Sequence, residues 1–239
     1  MRTKNFLGAA TLALALVAFV SPASALEKRA GLAVEDDRAW EAGGSVTISY
    51  YNICTGWVWI WSGWSPNDVV GVSYDTNFGF GGSLQSNWWF FGAGSPAGYG
   101  FTGSIEVSNI DTNECPVGAP LETQSFLPAS GWNLITWGGF SIVDDFSVTL
   151  TFGPGAANPA ELWTDHPAAG PTGPQACGSC YPNPRVIHSY YFGTPNSPLC
   201  PGQPLNDGVC DAEFLQTAEA LFVDIVEPTS WGSVKDLYR

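Results

Sequence analysis

Positive charge is the scarcest property of this sequence. Its 239 residues include 8 Lys or Arg against 22 Asp or Glu, which gives a formal net charge of −14. No lysine or arginine lies between Arg38 and Arg185. A surface without cations cannot neutralise phosphate groups, so nucleic acid and anionic membranes are poor partners. Neutral polar ligands, cations and basic partners remain, as does the interpretation that the acidity only serves solubility or salt tolerance.

Recognisable catalytic motifs are also missing. The two histidines, His166 and His188, belong to no known pattern, and no G-x-S-x-G, H-E-x-x-H or P-loop sequence occurs. The segment CGSC at 177–180 has the spacing of a thiol–disulfide oxidoreductase. Its flanks, PTGPQA and YPNP, cannot begin the helix that would stabilise a thiolate there. The sequence therefore predicts no catalytic residues, and a hydrolase is kept as the third of three functional hypotheses.

Long apolar runs are absent after the first residues of the chain. Arg2 and Lys4 precede the apolar run 7–20, and 23–25 form an A-x-A site, so residues 1–25 are predicted to be a signal peptide. No later segment is long and apolar enough to cross a bilayer. We expect a secreted or extracytoplasmic protein, at the cell surface or in the periplasm, with no membrane insertion after signal cleavage.

The cysteines fit this compartment. All six follow the predicted signal peptide: Cys54, Cys115, Cys177, Cys180, Cys200 and Cys210. An even number in an exported chain favours disulfides, whereas a four-cysteine zinc site would need a second close pair. One hypothesis links the CGSC pair to Cys200 and Cys210, which leaves Cys54 to pair with Cys115. Other pairings remain open on spacing alone.

The distribution of residue types predicts an all-β fold. Short runs rich in Val, Ile, Thr, Tyr, Phe and Trp alternate with clusters of Gly, Pro, Asn, Asp and Ser, which is typical of a sandwich or barrel. The last run could also form a helix on its apolar periodicity, but β-branched residues at its end favour a strand. We predict an antiparallel β-sandwich stapled by disulfides, and the resemblance described below implies a jelly-roll-like arrangement of its strands. Its predicted strands are 45–52, 57–61, 69–74, 84–92, 99–107, 133–137, 146–152, 185–192 and 218–226.

These strands define one domain. The sandwich is predicted over residues 44–227, after an N-terminal segment at 26–43. A Pro- and Gly-rich stretch at 153–184 is expected to be an irregular loop within the domain, pinned by its cysteines. The C-terminal peptide 228–239 is either a short helix packed against the sandwich or a tag that another protein recognises.

Several short segments that are predicted to form strands occur in an order that is known from other proteins. They are SYYN at 49–52, VVGVSYD at 69–75, GWNLITW at 131–137, DFSVTLTF at 145–152 and the apolar closing strand at 218–226. In this order the chain resembles secreted bacterial jelly-roll domains of the galactose-binding or carbohydrate-binding-module type. The resemblance implies a β-sandwich with a glycan-binding role. It supplies no site residues.

Tryptophan is abundant, with 11 residues, and four of them fall in CTGWVWIWSGW at 54–64. On a strand, Trp57, Trp59 and Trp61 share one face while Val58 and Ile60 share the other. Both faces are therefore apolar, as in a strand that is covered on both sides. This pattern favours the core over a binding platform for these three rings.

Other aromatic residues are the candidates for ligand contact. Trp64 lies between Ser-Gly and Ser-Pro, so we expect it in a turn with its ring exposed. Trp88 and Trp89 are adjacent on a predicted strand, so one of the two rings must point away from the core of the sandwich. Trp163 is the remaining candidate for ligand contact. Flat rings stack on the C–H faces of pyranoses, while acidic and amide side chains take the hydroxyls.

The hypothesis of first choice is therefore a secreted, non-catalytic binding module for glycans or another neutral polar surface. The alternative is a structural or assembly protein of the cell envelope or extracellular matrix, whose partner would be another protein at the cell surface. Calcium suits carboxylates and carbonyls in the loops of an acidic sandwich. Asp144 and Asp145 are the first candidate ligands for a structural calcium ion, followed by Asp75 and Asp111. No other cofactor is expected.

Overall fold

The regular structure of the chain is β throughout the part that is described. A computed structural model describes residues 27–32, 45–51, 53, 57–75, 82–92, 102–142, 144–153, 161–165, 187–194, 197–205 and 212–222. Within these ranges no helix could span a membrane. The predicted signal peptide, the C-terminal peptide and most of the Pro-rich loop lie outside them, as do His166 and four of the six cysteines.

The described chain forms strands β1 (Glu27–Leu32), β2 (Ser45–Ser49), β3 (Trp57–Ser62), β4 (Val69–Tyr74), β5 (Gly82–Phe91), β6 (Gly103–Ile110), β7 (Pro116–Phe126), β8 (Gly131–Thr136), β9 (Ser141–Ile142), β10 (Phe146–Thr151), β11 (Leu162–Asp165), β12 (Ser189–Thr194), β13 (Ser197–Pro204) and β14 (Gln216–Phe222).

The strands form two antiparallel sheets. In the first sheet the order is β1-β3-β11-β5-β14-β2, with β8 and β9 also paired to β5. In the second sheet the order is β13-β12-β4-β10-β6-β7. One face of each sheet contributes side chains to a shared hydrophobic core. The predicted all-β sandwich class is therefore confirmed.

Period-two alternation explains how the second sheet divides its side chains between core and outer face. On β10, Phe146, Val148 and Leu150 are fully buried in the core, while Thr149 and Thr151 face the other way. Successive side chains of a strand point to opposite faces, so each second residue is available for the core. Burying one such apolar side chain stabilises the fold by about 1.5–3 kcal/mol.

Strand β3 is apolar on both faces, as predicted. Trp61 is buried in the main core and Trp59 packs against it. Val58 and Ile60 point away from that core into a second, smaller cluster together with Phe90. We call this second group the outer cluster, and its members are Val58, Ile60, Phe90 and Leu215 with Tyr51, Ile53, Trp132 and Trp163 packed around them.

Five strands were not predicted, namely β1, β7, β9, β11 and β13, and the two longest of them were missed for a shared physical reason. β7 and β13 both contain prolines, and they form the two edges of the second sheet. An edge strand pairs on one side only, so a residue without an N–H is tolerated there.

The last apolar run forms strand β14 and not a helix, as the sequence analysis favoured. By contrast, β11 lies inside 153–184, so the expectation of an irregular loop throughout that stretch is wrong.

The disulfide pairing differs from the hypothesis. Cys115 is bonded to Cys200, with their Cα atoms 5.8 Å apart. Cys115 therefore does not pair with Cys54, and Cys200 does not pair with the CGSC segment. Cys200 lies on edge strand β13 and Cys115 immediately precedes edge strand β7. The bond thus joins two edges of one sheet, which only the tertiary structure brings together.

Candidate functional site

A bulge in β5 determines which of two adjacent tryptophans faces the core. The pairing of β14 with β5 shifts between Glu219 and Ala220, which leaves Gln85 as the extra residue of β5. Beyond the bulge, Trp89 points into the core and is 1% exposed. Trp88 points to the outer face of the first sheet and is half-buried. The expectation that one ring of this pair leaves the core is met by Trp88, whereas Trp89 is too enclosed to contact a ligand.

Trp88 lies in a groove on the outer face of the first sheet. The groove has a volume of about 330 Å³ and is formed by β5, β14 and the segment that includes β8. Its size falls in the range of pockets that hold small ligands. We call it the Trp88 groove, and its lining residues are Gln85, Ser86, Trp88, Leu134, Thr136, Trp137 and Glu219.

Among the described residues, the Trp88 groove contains one carboxylate, that of Glu219. The side chain is only 8% exposed, and the Ser86 hydroxyl donates a hydrogen bond of 2.5 Å to its Oε2. This contact orients the carboxylate and leaves further acceptor positions on its oxygens. The Gln85 amide donates to the carbonyl and the hydroxyl of Ser83, which leaves its own oxygen as an acceptor. Together these groups can accept hydrogen bonds from a ligand's hydroxyls.

Buried hydrogen bonds hold the wall of the groove in place. The Trp137 indole N–H donates to the side-chain oxygen of Asn87, which is fully buried. The Asn87 amide donates in turn to the carbonyl of Thr217 at 3.1 Å. The backbone N–H of Trp137 donates to the carbonyl of Gln85 at 2.8 Å. These bonds link β5, β14 and the end of β8, so the groove is preorganised rather than assembled by a ligand.

The Trp88 groove combines apolar surface with hydrogen-bond acceptors. A partly accessible indole face, an apolar Leu134 that is 51% exposed and several hydrogen-bond acceptors occur together. Glycoside hydrolysis in its usual form needs two carboxyl groups, and the described lining contains one.

Trp64 is not exposed, and the prediction made for it is wrong. The ring is 1% exposed and stacks on Phe152, with centroids 5.1 Å apart and planes inclined by 10°. Its indole N–H donates to the carbonyl of Trp61 at 3.2 Å. The ring is part of the main core. It cannot serve as a ligand platform in this position.

The turn that follows Trp64 explains its burial. Asp68 accepts a hydrogen bond from the N–H of Ser65 at 2.7 Å and so closes the turn. The N–H of Asn67 donates to the carbonyl of Phe152, which fastens the turn to the end of β10. The Tyr191 hydroxyl donates to the other Asp68 oxygen at 3.0 Å. Burial, with the hydrogen bond and charge of Asp68, raises the pKa of Tyr191 to about 12.

Trp163 belongs to the outer cluster and not to the Trp88 groove. Its ring packs on Phe90 with centroids 4.8 Å apart and lies directly over Gly92. A Cβ at position 92 would be 2.0 Å from the Trp163 indole nitrogen, so the glycine is required for this packing. Ligand contact by Trp163 stays a prediction, because the ring is only half-buried.

The candidate calcium ligands Asp144, Asp145 and Asp75 have different surroundings. Asp144 is exposed, whereas Asp145 and Asp75 lie near the Tyr50 phenol. Burial is the main cause that raises the pKa of Tyr50 well above its usual value. The negative charges of Asp75 and Asp145 add to this rise, while the hydrogen bond from the Asp75 N–H to the phenol opposes it. Calcium at Asp144 and Asp145 stays a prediction.

Asp111 is a turn residue. Its carboxylate accepts hydrogen bonds from the backbone N–H groups of Cys115 and Asn113, and these bonds lower its pKa. Asp111, Cys115 and Cys200 are close enough together to resemble a metal site. Both sulfur atoms are bonded to each other, however, so neither is a free thiolate that could bind a metal.

His188 lies among buried polar groups at one end of the second sheet. Its ring stacks on Tyr50 with centroids 3.5 Å apart, and its Nδ1 lies 3.2 Å from the carbonyl of Ser73. The Glu213 carboxylate accepts hydrogen bonds from the N–H of His188 and from the Ser189 hydroxyl. These contacts join Tyr50, Ser73 and Glu213 to the start of β12.

Sequence reasoning missed most of the groove. Gln85 and Thr136 carry no motif, and the bulge that turns β5 is not visible in the sequence. A usable signal existed for Glu219, which is the single charged residue of AEALF and alternates with Ala218 and Ala220. Strand periodicity places it opposite the alanines, on the outer face.

The chain matches no protein-family model, no curated protein and no solved structure.

Proposed function

We propose that this protein is an exported, non-catalytic binding module that holds a neutral glycan in the Trp88 groove. The observation that carries the proposal is the combination of the outward Trp88 ring with the Glu219 carboxylate in one preorganised groove. The ring supplies a flat apolar surface for the C–H face of a sugar. The carboxylate and the Gln85 amide supply acceptors for its hydroxyls.

The rest of the molecule supports this proposal. No lysine or arginine occurs in the sequence between Arg38 and Arg185 or between Arg185 and Lys235, and the described groove residues all lie within these two stretches. An anionic ligand would therefore be repelled and a neutral one would not. The Cys115–Cys200 disulfide supports an oxidising compartment outside the cytoplasm.

The test is a binding titration with a panel of neutral oligosaccharides, measured by calorimetry on the wild type and on Trp88→Ala. For any glycan that the wild type binds, we expect Trp88→Ala to weaken binding about tenfold or more, since a stacked ring contributes on the order of 1.4 kcal/mol. Glu219→Gln keeps the shape of the side chain and removes its charge. We expect it to weaken binding less than Trp88→Ala does.

The matched control is Trp163→Phe, which removes one half-buried indole from the same sheet but outside the groove. It should bind the panel as the wild type does. Binding that survives Trp88→Ala but is lost in Trp163→Phe would move the site to the outer cluster. Absence of binding to every member of the panel would contradict the proposed function.

A further inference from the structure

A second groove exists on the outer face of the second sheet, under the disulfide. Because the bond between Cys115 and Cys200 joins the two edges of this sheet, it bridges the face between them. The space enclosed has a volume of about 380 Å³. We call it the strap groove. Its lining residues are Val69, Ser104, Glu106, Ser108, Cys115, Pro116, Thr149, Thr151, Phe192, Thr194, Pro198, Leu199 and Cys200.

The floor of the strap groove is polar because it is the outer face of three adjacent strands. In the register of the sheet, Thr149 on β10 lies opposite Glu106 on β6 and Gly71 on β4. Thr151 lies opposite Ser104 in the same way. A Cβ at position 71 would be 2.8 Å from the Thr149 methyl carbon, so the glycine makes room for that side chain. The result is a row of hydroxyls around one carboxylate.

The Glu106 carboxylate is the unusual member of this floor. Its side chain is half-buried, and no described residue forms a hydrogen bond or an ion pair with it. The described residues of the lining include no Lys, Arg or His. The nearest cations in the sequence are Arg38 and Arg185, each more than 60 residues away along the chain. A carboxylate in a confined groove without a countercharge attracts a cation from solution.

Another part of the lining is apolar, in contrast to the polar floor. Phe192, Leu199 and Pro198 contribute apolar surface, and both cysteines of the disulfide also line the groove. Gly202 brings β13 close to Phe192, since a Cβ at that position would be 2.8 Å from the ring. A cationic ligand that also carries an apolar chain would match both surfaces. A hydrated inorganic cation would match the floor alone.

We propose that the strap groove binds a primary alkylammonium group, whose N–H donors reach Glu106 and the neighbouring threonine hydroxyls while its alkyl chain lies against Phe192 and Leu199. An ammonium carries three donors and no acceptor, which complements a carboxylate and hydroxyl oxygens. The volume accommodates a short alkylamine, since one water takes about 30 Å³ of liquid volume. This inference does not rest on the Trp88 groove, which lies on the other sheet.

The experiment is an NMR titration of the full-length mature protein with n-hexylammonium at neutral pH, with 1-hexanol as the uncharged ligand of equal length. We expect hexylammonium to shift the amide signals of residues 104–108 and 149–151, and to bind more tightly than hexanol. In Glu106→Gln we expect its affinity to fall about fivefold to tenfold, because a charge-assisted hydrogen bond is lost from a partly exposed site. Hexanol should bind both proteins equally weakly.

Glu122→Gln is the matched control, since it removes the same charge from β7 outside the groove. It should bind hexylammonium as the wild type does, which separates a local contact from the general field of the acidic protein. Equal affinities in Glu106→Gln and wild type would overturn the proposal, as would equal binding of the alcohol and the amine. Far-UV circular dichroism and thermal unfolding of each variant show whether a loss of binding reflects a loss of folding.

Discussion

Trp64 shows how a single turn can place a large ring in the core. The ring is stacked on Phe152, and its N–H donates to the carbonyl of Trp61, three residues earlier in the chain. Asp68 closes the turn and connects it through Tyr191 to β12. Because the polar turn residues bond to one another, the chain can reverse direction without exposing the indole.

Replacing Trp64 with alanine should be among the most destabilising single changes in the described chain. The substitution opens a cavity in a packed core, so we expect the free energy of unfolding to fall by about 3–5 kcal/mol. Urea denaturation followed by circular dichroism measures this loss as a shift of the midpoint. Leu134→Ala, at a side chain that is 51% exposed, is the control and should change stability by about 0.5 kcal/mol or less. Similar midpoints for the two variants would show that Trp64 is not a core residue.

At the scale of elements, prolines and a disulfide protect the two edge strands of the second sheet. β7 and β13 carry prolines, which limit pairing with further strands, and the disulfide ties these two edges together. The closed loop is long, because 85 residues separate the two cysteines. A crosslink over such a separation restricts the unfolded chain strongly. Both of its cysteines also line the strap groove.

Removing this crosslink tests both the pairing and its energetic role. In Cys115→Ser/Cys200→Ser we expect the free energy of unfolding to fall by about 2–4 kcal/mol relative to the wild type. Denaturant titration measures the difference, and peptide mapping of the unreduced wild type should recover one crosslinked fragment that contains both cysteines. A fragment that joins Cys54 to Cys115 would refute the pairing.

For the whole molecule, acidity is the dominant electrostatic fact. With a net charge of −14 and a sequence without cations from 39 to 184, carboxylates repel one another across the folded surface. The unfolded chain is more expanded and suffers less from this repulsion. Folding is therefore opposed by a charge term that salt can screen.

We expect the melting temperature to rise as ionic strength increases from about 0.01 to 0.15 M, where the screening length falls from about 30 to 8 Å. Differential scanning calorimetry at fixed pH gives the measurement. Sodium chloride and sodium sulfate at equal ionic strength serve as mutual controls, because screening depends on ionic strength and not on the identity of the anion. A melting temperature that stays constant or falls over this range would contradict the repulsion argument.

The parts of the structure that follow from local pattern were predictable. Strand β4 was predicted with its observed ends, and the two-sided character of β3 followed from the alternation of its residues. Edge strands β7 and β13 were missed because proline and glycine, which break central strands, are acceptable where one side of a strand is unpaired. The bulge at Gln85 was missed because a shift in register depends on the partner strand.

The sequence by itself determined the all-β class, the scarcity of cations, and the presence of more aromatic rings than one core face needs. These follow from composition and from the two-residue period of strands, which act locally. Only the tertiary structure decided that Trp64 is buried and Trp88 is outward, and that Cys115 bonds Cys200. Those outcomes depend on which distant strands become neighbours, because both grooves are built from residues that meet only through sheet pairing.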